Sequence, residues 1–325
     1  MQPRGAFPFF FLGILLLSVT PPASAQTAKP IPLLQTVPQP QDQISFQRDG
    51  LEIARYHFAP TLQRPFVFPI IGPSGRPITR MGHPHDPVGH SHHNSCWVSH
   101  NDVNGVSFWA DRGTNTGHIL HQRIERLDDG DDAAAVLALS HWVDKNGKVL
   151  LIERRRTSIQ PLPNNEFLLV LDLQLEPREK EAVLGKTPFG LFAVRVAKTM
   201  GIHDGGGTIR NSAGNVDEQG ENGCFWKAAK WCDYSGPVTA KATEGVTLLD
   251  HPMNPNHPTV FHVRADGWMG SSLTFNGPRT IAAGKPLQLR YGVYVHAGKP
   301  SLAELNRRWE TFAKSAPFDF TVKKK

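Results

Sequence analysis

Cysteine is scarce in this 325-residue chain, with only Cys96, Cys224 and Cys232. Three cysteines cannot make a disulfide scaffold, so the fold must rest on its core. In an exported protein Cys224 and Cys232 could pair, leaving Cys96 alone. Past the N-terminus there is no run of about 20 apolar residues, so no membrane span is expected. Dense basic stripes are also absent. The net charge of +6 is spread among both signs, with one local run at Arg154-Arg155-Arg156 and three lysines at the C-terminus. A nucleic-acid binder would concentrate that charge on a recognisable module, so no nucleic-acid partner is expected. Walker A, GxSxG, HExxH and a dinucleotide fingerprint after a strand are all missing. Helix–strand alternation and fixed-period repeats are missing too, which excludes a doubly wound sheet or a solenoid.

Glycine and proline, by contrast, are plentiful, at 29 and 27 residues. They punctuate a long series of strand signals. Arg4, the apolar run Phe9 to Val19 and Ala23-Ser24-Ala25 read as a signal peptide over 1–25, which places the protein in the periplasm or outside the cell. Residues 26–43, rich in Pro and Gln, read as a linker. From 44 to 325 the pattern predicts a single all-β domain, an antiparallel β-sandwich with a C-terminal helix. Asp49-Gly50 and Asn146-Gly147 each suit a two-residue hairpin turn. Phe167, Leu169, Leu171, Leu173 and Leu175 alternate as one buried strand face, and Asp172, Gln174 and Glu176 are expected to meet water on the other. The helix begins at Ser301, whose capping box is completed by Glu304.

Three constellations carry chemistry. The first is 81–111, with His83, His85, His90, His92, His93 and His100, bracketed towards its end by Trp97 and Trp109. If this segment is extended, His90 and His92 share a face and His93 points away. Imidazole pairs could hold a transition metal, but no carboxylate follows at a suitable distance. No cofactor is therefore expected, a divalent metal is possible, and its ligands are unknown. The second is 250–264, where three prolines stiffen a loop holding Asp250, His251, Asn254, Asn256 and His257. His262 and Arg264 then share a strand face. The third is 215–234, with Asp217, Glu218 and Glu221 beside Trp226, Trp231 and Tyr234.

These motifs resemble a bacterial family of unknown function labelled methane oxygenase PmoA. Its D-H-P-H-H-R-G-L-W run is matched by Gly89-His90-Ser91-His92-His93-Asn94-Ser95-Cys96-Trp97. Its H-G-D-V-N-G run and following tryptophan are matched by His100-Asn101-Asp102-Val103-Asn104-Gly105 and Trp109. Trp231 to Gly236, Asp250 to Thr259 and His262-Val263-Arg264 match later family patterns. Gly89, Ser91, Asn94, Ser95, Cys96 and Asn101 depart from it. The resemblance implies a galactose mutarotase-like supersandwich, whose members bind sugars over a sheet lined by histidines and carboxylates.

The expectation is an exported carbohydrate-active protein that binds a sugar or sugar derivative in a histidine-rich groove. The reaction would be proton transfer of the epimerase, lyase or glycoside hydrolase type. His93 and His257 are the expected acid and base, with Glu221 as the complementary carboxylate. His90, His92, Asp102, Asn104, Trp109, Asn254, Asn256, His262 and Arg264 would hold the substrate. The alternatives are a carbohydrate-binding protein without catalysis and a metal-dependent oxidoreductase.

Overall fold

The computed structural model describes residues 30–82 and 90–321, with isolated Met1 and Gly5. Residues 32–325 form one compact unit. The signal-peptide reading of 1–25, His83, His85 and Asp86 lie outside the described residues.

In chain order the strands are β1 (Leu34–Gln39), β2 (Gln43–Arg48), β3 (Leu51–His57), β4 (Phe66–Ile70), β5 (Cys96–His100), β6 (His118–Asp128), β7 (Ala134–Val143), β8 (Val149–Pro161), β9 (Phe167–Pro177), β10 (Glu181–Leu184) and β11 (Gly190–Arg195). A short helix α1 (Ile202–Gly205) follows. Then come β12 (Thr208–Asn211), β13 (Lys227–Ala228), β14 (Trp231–Thr239), β15 (Ala242–Asp250), β16 (Val260–Arg264), β17 (Trp268–Ser272), β18 (Arg279–Ala282), β19 (Leu287–Ala297) and the helix α2 (Leu302–Ala313). The strands make two large antiparallel sheets. One runs β1-β2-β3-β4-β5-β11-β17-β16-β13, the other β12-β14-β15-β19-β9-β8-β7-β6. The protein is thus an all-β antiparallel sandwich. The 26–43 stretch contains a paired strand, β1, where the sequence suggested a linker. Among the described residues no helix is long and apolar enough to cross a membrane.

Strand alternation explains the core. Phe167, Leu169, Leu171, Leu173 and Leu175 of β9 pack inward with Tyr291, Val293 and Val295 of β19, and with Phe192, Val194, Phe261, Val263 and Met269 of the other sheet. Of the three residues expected to meet water on the opposite face of β9, Asp172 and Gln174 are buried and Glu176 is half-buried. Leu168 and Val170 lie under α2, packed with Leu305 and Phe312. Asp172 is buried because Arg290 Nη1 donates to it over 2.5 Å, so its charge is matched rather than solvated. Ser301 caps α2 as read from sequence, its hydroxyl accepting from Glu304 N at 3.2 Å.

The two hairpin turns differ. Asp49 and Gly50 both have positive φ (51° and 77°) and join β2 to β3 directly, as a primed two-residue turn requires. The Asn146-Gly147 turn is longer. Asp144 Oδ1 accepts from Asn146 N and Lys148 N, so a side chain organises five residues between the strands.

Candidate functional site

The outer face of the nine-stranded sheet, turned away from the core, carries a second aromatic cluster. Its floor is a single cross-strand row. Trp97 of β5 faces Ala193 of β11, Ala193 faces Gly270 of β17, and Gly270 faces His262 of β16. Two bulky ends flank two small middles. Gly270 fits closely there, since a Cβ would lie 3.3 Å from the Trp268 ring and from Phe192 O and 3.2 Å from Ala193 Cβ, so its neighbours would have to give by a few tenths of an ångström. Trp109, Trp268 and Phe66 pack over this row, with Phe189 against them. Trp97 and Trp109, which bracket the Asn-Asp-Val-Asn-Gly turn in sequence, meet at 5.5 Å between ring centroids.

The histidines enter through a turn, not an extended segment. His93 N donates to His90 O at 3.2 Å, which folds the backbone back within one turn. This overturns the expected alternation of faces, and all three rings converge. His90 stacks on His93 (4.5 Å, 18°), and His93 stacks on Trp97 (5.0 Å, 25°). His92 meets both edge-on, at 5.8 and 4.5 Å. Arg64 fixes this loop from below. Buried, it donates to His92 O, Asn94 Oδ1, Phe108 O and Trp109 O over 2.6–2.8 Å. One guanidinium therefore ties the histidine turn to the Trp109 segment. Burial pushes its pKa down to about 9, which leaves it charged at neutral pH.

Two polar partners set the imidazole chemistry, and both lie outside the sequence motifs. Arg195 Nη1 donates to His93 Nδ1 at 2.8 Å. Arginine only donates, so His93 Nδ1 is the acceptor and its proton sits on Nε2. Burial, reinforced by His92 and Arg195, holds the His93 pKa well below the usual value, so the ring is a neutral hydrogen-bond donor. His90 is oriented the other way. Its Nδ1 lies 2.8 Å from Asp266 Oδ2, in the turn between β16 and β17, and its side chain remains 25% exposed. That nitrogen makes no aligned hydrogen bond, so Asp266 acts on the His90 ring as a close charge. Burial alone would raise the Asp266 pKa, but His90, Arg195 and Arg264 lower it below the ordinary carboxylate value.

His262 closes the row. It is nearly buried, 4.5 Å from Trp268 and 5.1 Å from both Phe189 and Phe225. Burial first and Arg264 second depress its pKa to about 4. His92 reaches about 4 for a related reason, burial followed by Arg64. Beside His262, Trp226 stacks on Phe225 (4.4 Å) and stays 45% exposed. Trp231, grouped with it by sequence, is instead core beneath α2, its Nε1 donating to Asn306 Oδ1.

Other expected site residues go elsewhere. Asp102 Oδ1 accepts from Gly105 N and Asn104 Oδ1 from Val183 N, so both build a turn clamped to β10. His100 is buried, with Nε2 at 2.9 Å from Thr274 Oγ1. Asn254 is buried, bonding Asp250 Oδ1 and both backbone groups of Arg290. Asn256 has φ of 63° and donates to Leu273 O at 3.3 Å. His257 forms its own pair with Asp250 (Nδ1 to Oδ2, 2.7 Å) and stacks on Trp309 of α2. Among the described residues it makes no ring contact or hydrogen bond with the histidine cluster. Arg264 is half exposed and pairs with Glu218 at 3.3 Å, while Glu221 stands exposed on the 216–223 loop. The carboxylate that joins the cluster is Asp266. The sequence signal for it was slight: an Asp-Gly turn two residues after the His262-Val263-Arg264 strand. Among the described residues no three His, Cys, Asp or Glu side chains converge as a metal-ligand set.

Sandwich and site together define a β-sheet protein with a cluster of imidazoles and tryptophans on the outer face of one sheet. A family of unknown function, DUF6807, matches residues 43–310, and the chain belongs to that family. No curated protein matches the sequence.

Proposed function

We propose that this protein binds a sugar or sugar derivative over the Trp97–His262 row and transfers a proton on it. The supporting observation is a stacked pair of imidazoles in different settings. His90 is partly exposed and lies 2.8 Å from the Asp266 carboxylate, a setting that suits a general base. His93, held neutral by burial and by Arg195, offers only a donor nitrogen. In this reading His90 and Asp266 take the role that sequence reasoning gave to His257 and Glu221, and His93 donates to substrate oxygen rather than accepting a proton. The exposed indole of Trp226 suits the apolar C–H face of a pyranose ring. Such an arrangement fits epimerisation or lyase-type elimination. The mutarotase-like, exported setting suggested by the sequence agrees with that substrate class.

The test is proton NMR in deuterium oxide with aldoses, uronic acids and their oligosaccharides. Wild type should exchange a carbon-bound proton or form product. His90→Asn and Asp266→Asn should lower the rate about 100-fold or more while melting normally. Glu221→Gln should match wild type. Wild-type turnover in His90→Asn would refute the assignment. The exposed Trp226 favours a second reading, glycan binding without catalysis. Saturable binding by calorimetry with no exchange or product would select it.

A further inference from the structure

The Arg154-Arg155-Arg156 run takes no part in the histidine site, and strand alternation sends its members different ways. Arg155 points into the core, where its Nε donates to Glu153 at 2.6 Å. Arg154 faces outward on the eight-stranded sheet, bonded to Glu125 (2.8 Å) and to Phe320 O (2.6 Å). Arg156 also faces outward, in a row that reads Arg126, Leu137, Arg156, Asp172, Arg290 across β6, β7, β8, β9 and β19.

The other charges in that row each have an ion-pair partner, although Asp172 Oδ2 and Arg290 Nε are buried without a hydrogen bond of their own. Arg290 binds Asp172, and Arg126 Nε binds Asp128 at 2.8 Å. Asp172 Oδ1 also accepts from Phe318 N at 3.2 Å. Arg156 differs. Among the described residues its guanidinium makes no hydrogen bond or ion pair, and its Nε is buried without a partner. Its Cζ instead lies 5.0 Å from the Phe318 ring centroid, and that of Arg126 lies 5.4 Å from the same ring. Arg126, Arg156, Arg290, Gln160, Asp172 and Asp319 line an open cleft of about 490 Å³ at this point.

We propose that this cleft is a second ligand site, in which Arg156 receives the carboxylate of a small sugar acid. The chemistry follows from what is left over. A half-buried guanidinium lacking an acceptor is unfavourable, and an incoming oxyanion supplies the acceptor. The cation–π contact with Phe318 keeps the guanidinium at the cleft, and its planar fork matches a carboxylate in two-point contact. Gln160 adds an amide for a neighbouring hydroxyl. Asp172 and Asp319 limit the anion to a single charge, since a doubly charged group would meet their repulsion.

Calorimetric titration with sodium glucuronate, with glucose and inorganic sulfate as controls, tests the assignment. Wild type should bind glucuronate with a Kd on the order of 1 mM, and bind glucose and sulfate at least about tenfold more weakly. Arg156→Gln should weaken glucuronate about tenfold or more, and Arg156→Lys nearly as much, because lysine keeps the charge and loses the fork. Glu221→Gln, altered on an exposed loop outside the cleft, should leave this binding unchanged. Loss of glucuronate binding in Glu221→Gln, or unchanged binding in both Arg156 variants, would overturn the proposal. Equal affinity for sulfate would also overturn the preference for carboxylate. If Arg156→Gln fails to fold, Gln160→Ala probes the same cleft. A loss of about threefold or more there supports the site, and no loss counts against it.

Discussion

Acid should destabilise the protein through its buried imidazoles, and His262 is the clearest reporter. Burial and then Arg264 hold this ring neutral down to about pH 4. In the unfolded chain it titrates near its ordinary value of about 6.5. The folded value is depressed, so the unfolded chain takes up the proton first. The His262 contribution to stability is therefore complete above about pH 6.5 and is lost progressively as pH falls towards 4. Lowering the pH from about 7 to about 5 should remove about 2 kcal/mol through His262 alone. The ring is 4% exposed, so solvent screening reduces that figure little. The assay is urea unfolding followed by tryptophan fluorescence at both pH values, for wild type and His262→Gln. His92, His93, His100, Asp233 and Asp266 titrate in both proteins, so the difference between the two pH slopes isolates His262. Wild type should lose about 2 kcal/mol more than the variant over this interval. Equal slopes would refute the claim that a neutral, desolvated His262 closes the row.

Three further outcomes are expected. Arg64→Met removes the donors that hold four oxygen atoms on the histidine and Trp109 segments, and should cost about 3 kcal/mol or more in urea unfolding. A loss under about 1 kcal/mol would show that the two segments hold together without it. Ser301→Ala should cost about 1 kcal/mol by removing the α2 cap, visible as a lower thermal midpoint, and an unchanged midpoint would contradict the capping role. Cys96 is buried with its thiol pKa pushed up to about 12, so iodoacetamide should label it only after denaturation. Labelling of Cys96 in the folded protein would place that strand at the surface.

Local rules made much of the scaffold legible. The leucines of β9 face inward because the strand period is two, and that period is written in the chain. Asp49-Gly50 and Ser301 act through backbone groups only a few residues away, so their roles follow from sequence as well. The β1 strand was hidden because its Pro- and Gln-rich sequence has little propensity of its own, and pairing with β2 supplies the order. The exposed-face reading of Asp172 failed for a related reason. Its partner Arg290 is 118 residues away in sequence.

The site divides along the same line. Short-range pattern is enough to put His90, His92 and His93 together, to set His262 and Arg264 on one strand face, and to bring tryptophans near. Which of these side chains meet is a matter of long-range pairing. Four antiparallel strands from distant parts of the chain align Trp97, Ala193, Gly270 and His262 in one row. A single turn, and not an extended segment, stacks His90 on His93. Asp266 and Arg195 reach the imidazoles through space, at 2.8 Å each, and no local pattern marks them. Protonation state depends on such neighbours and on burial, and both are properties of the folded sheet.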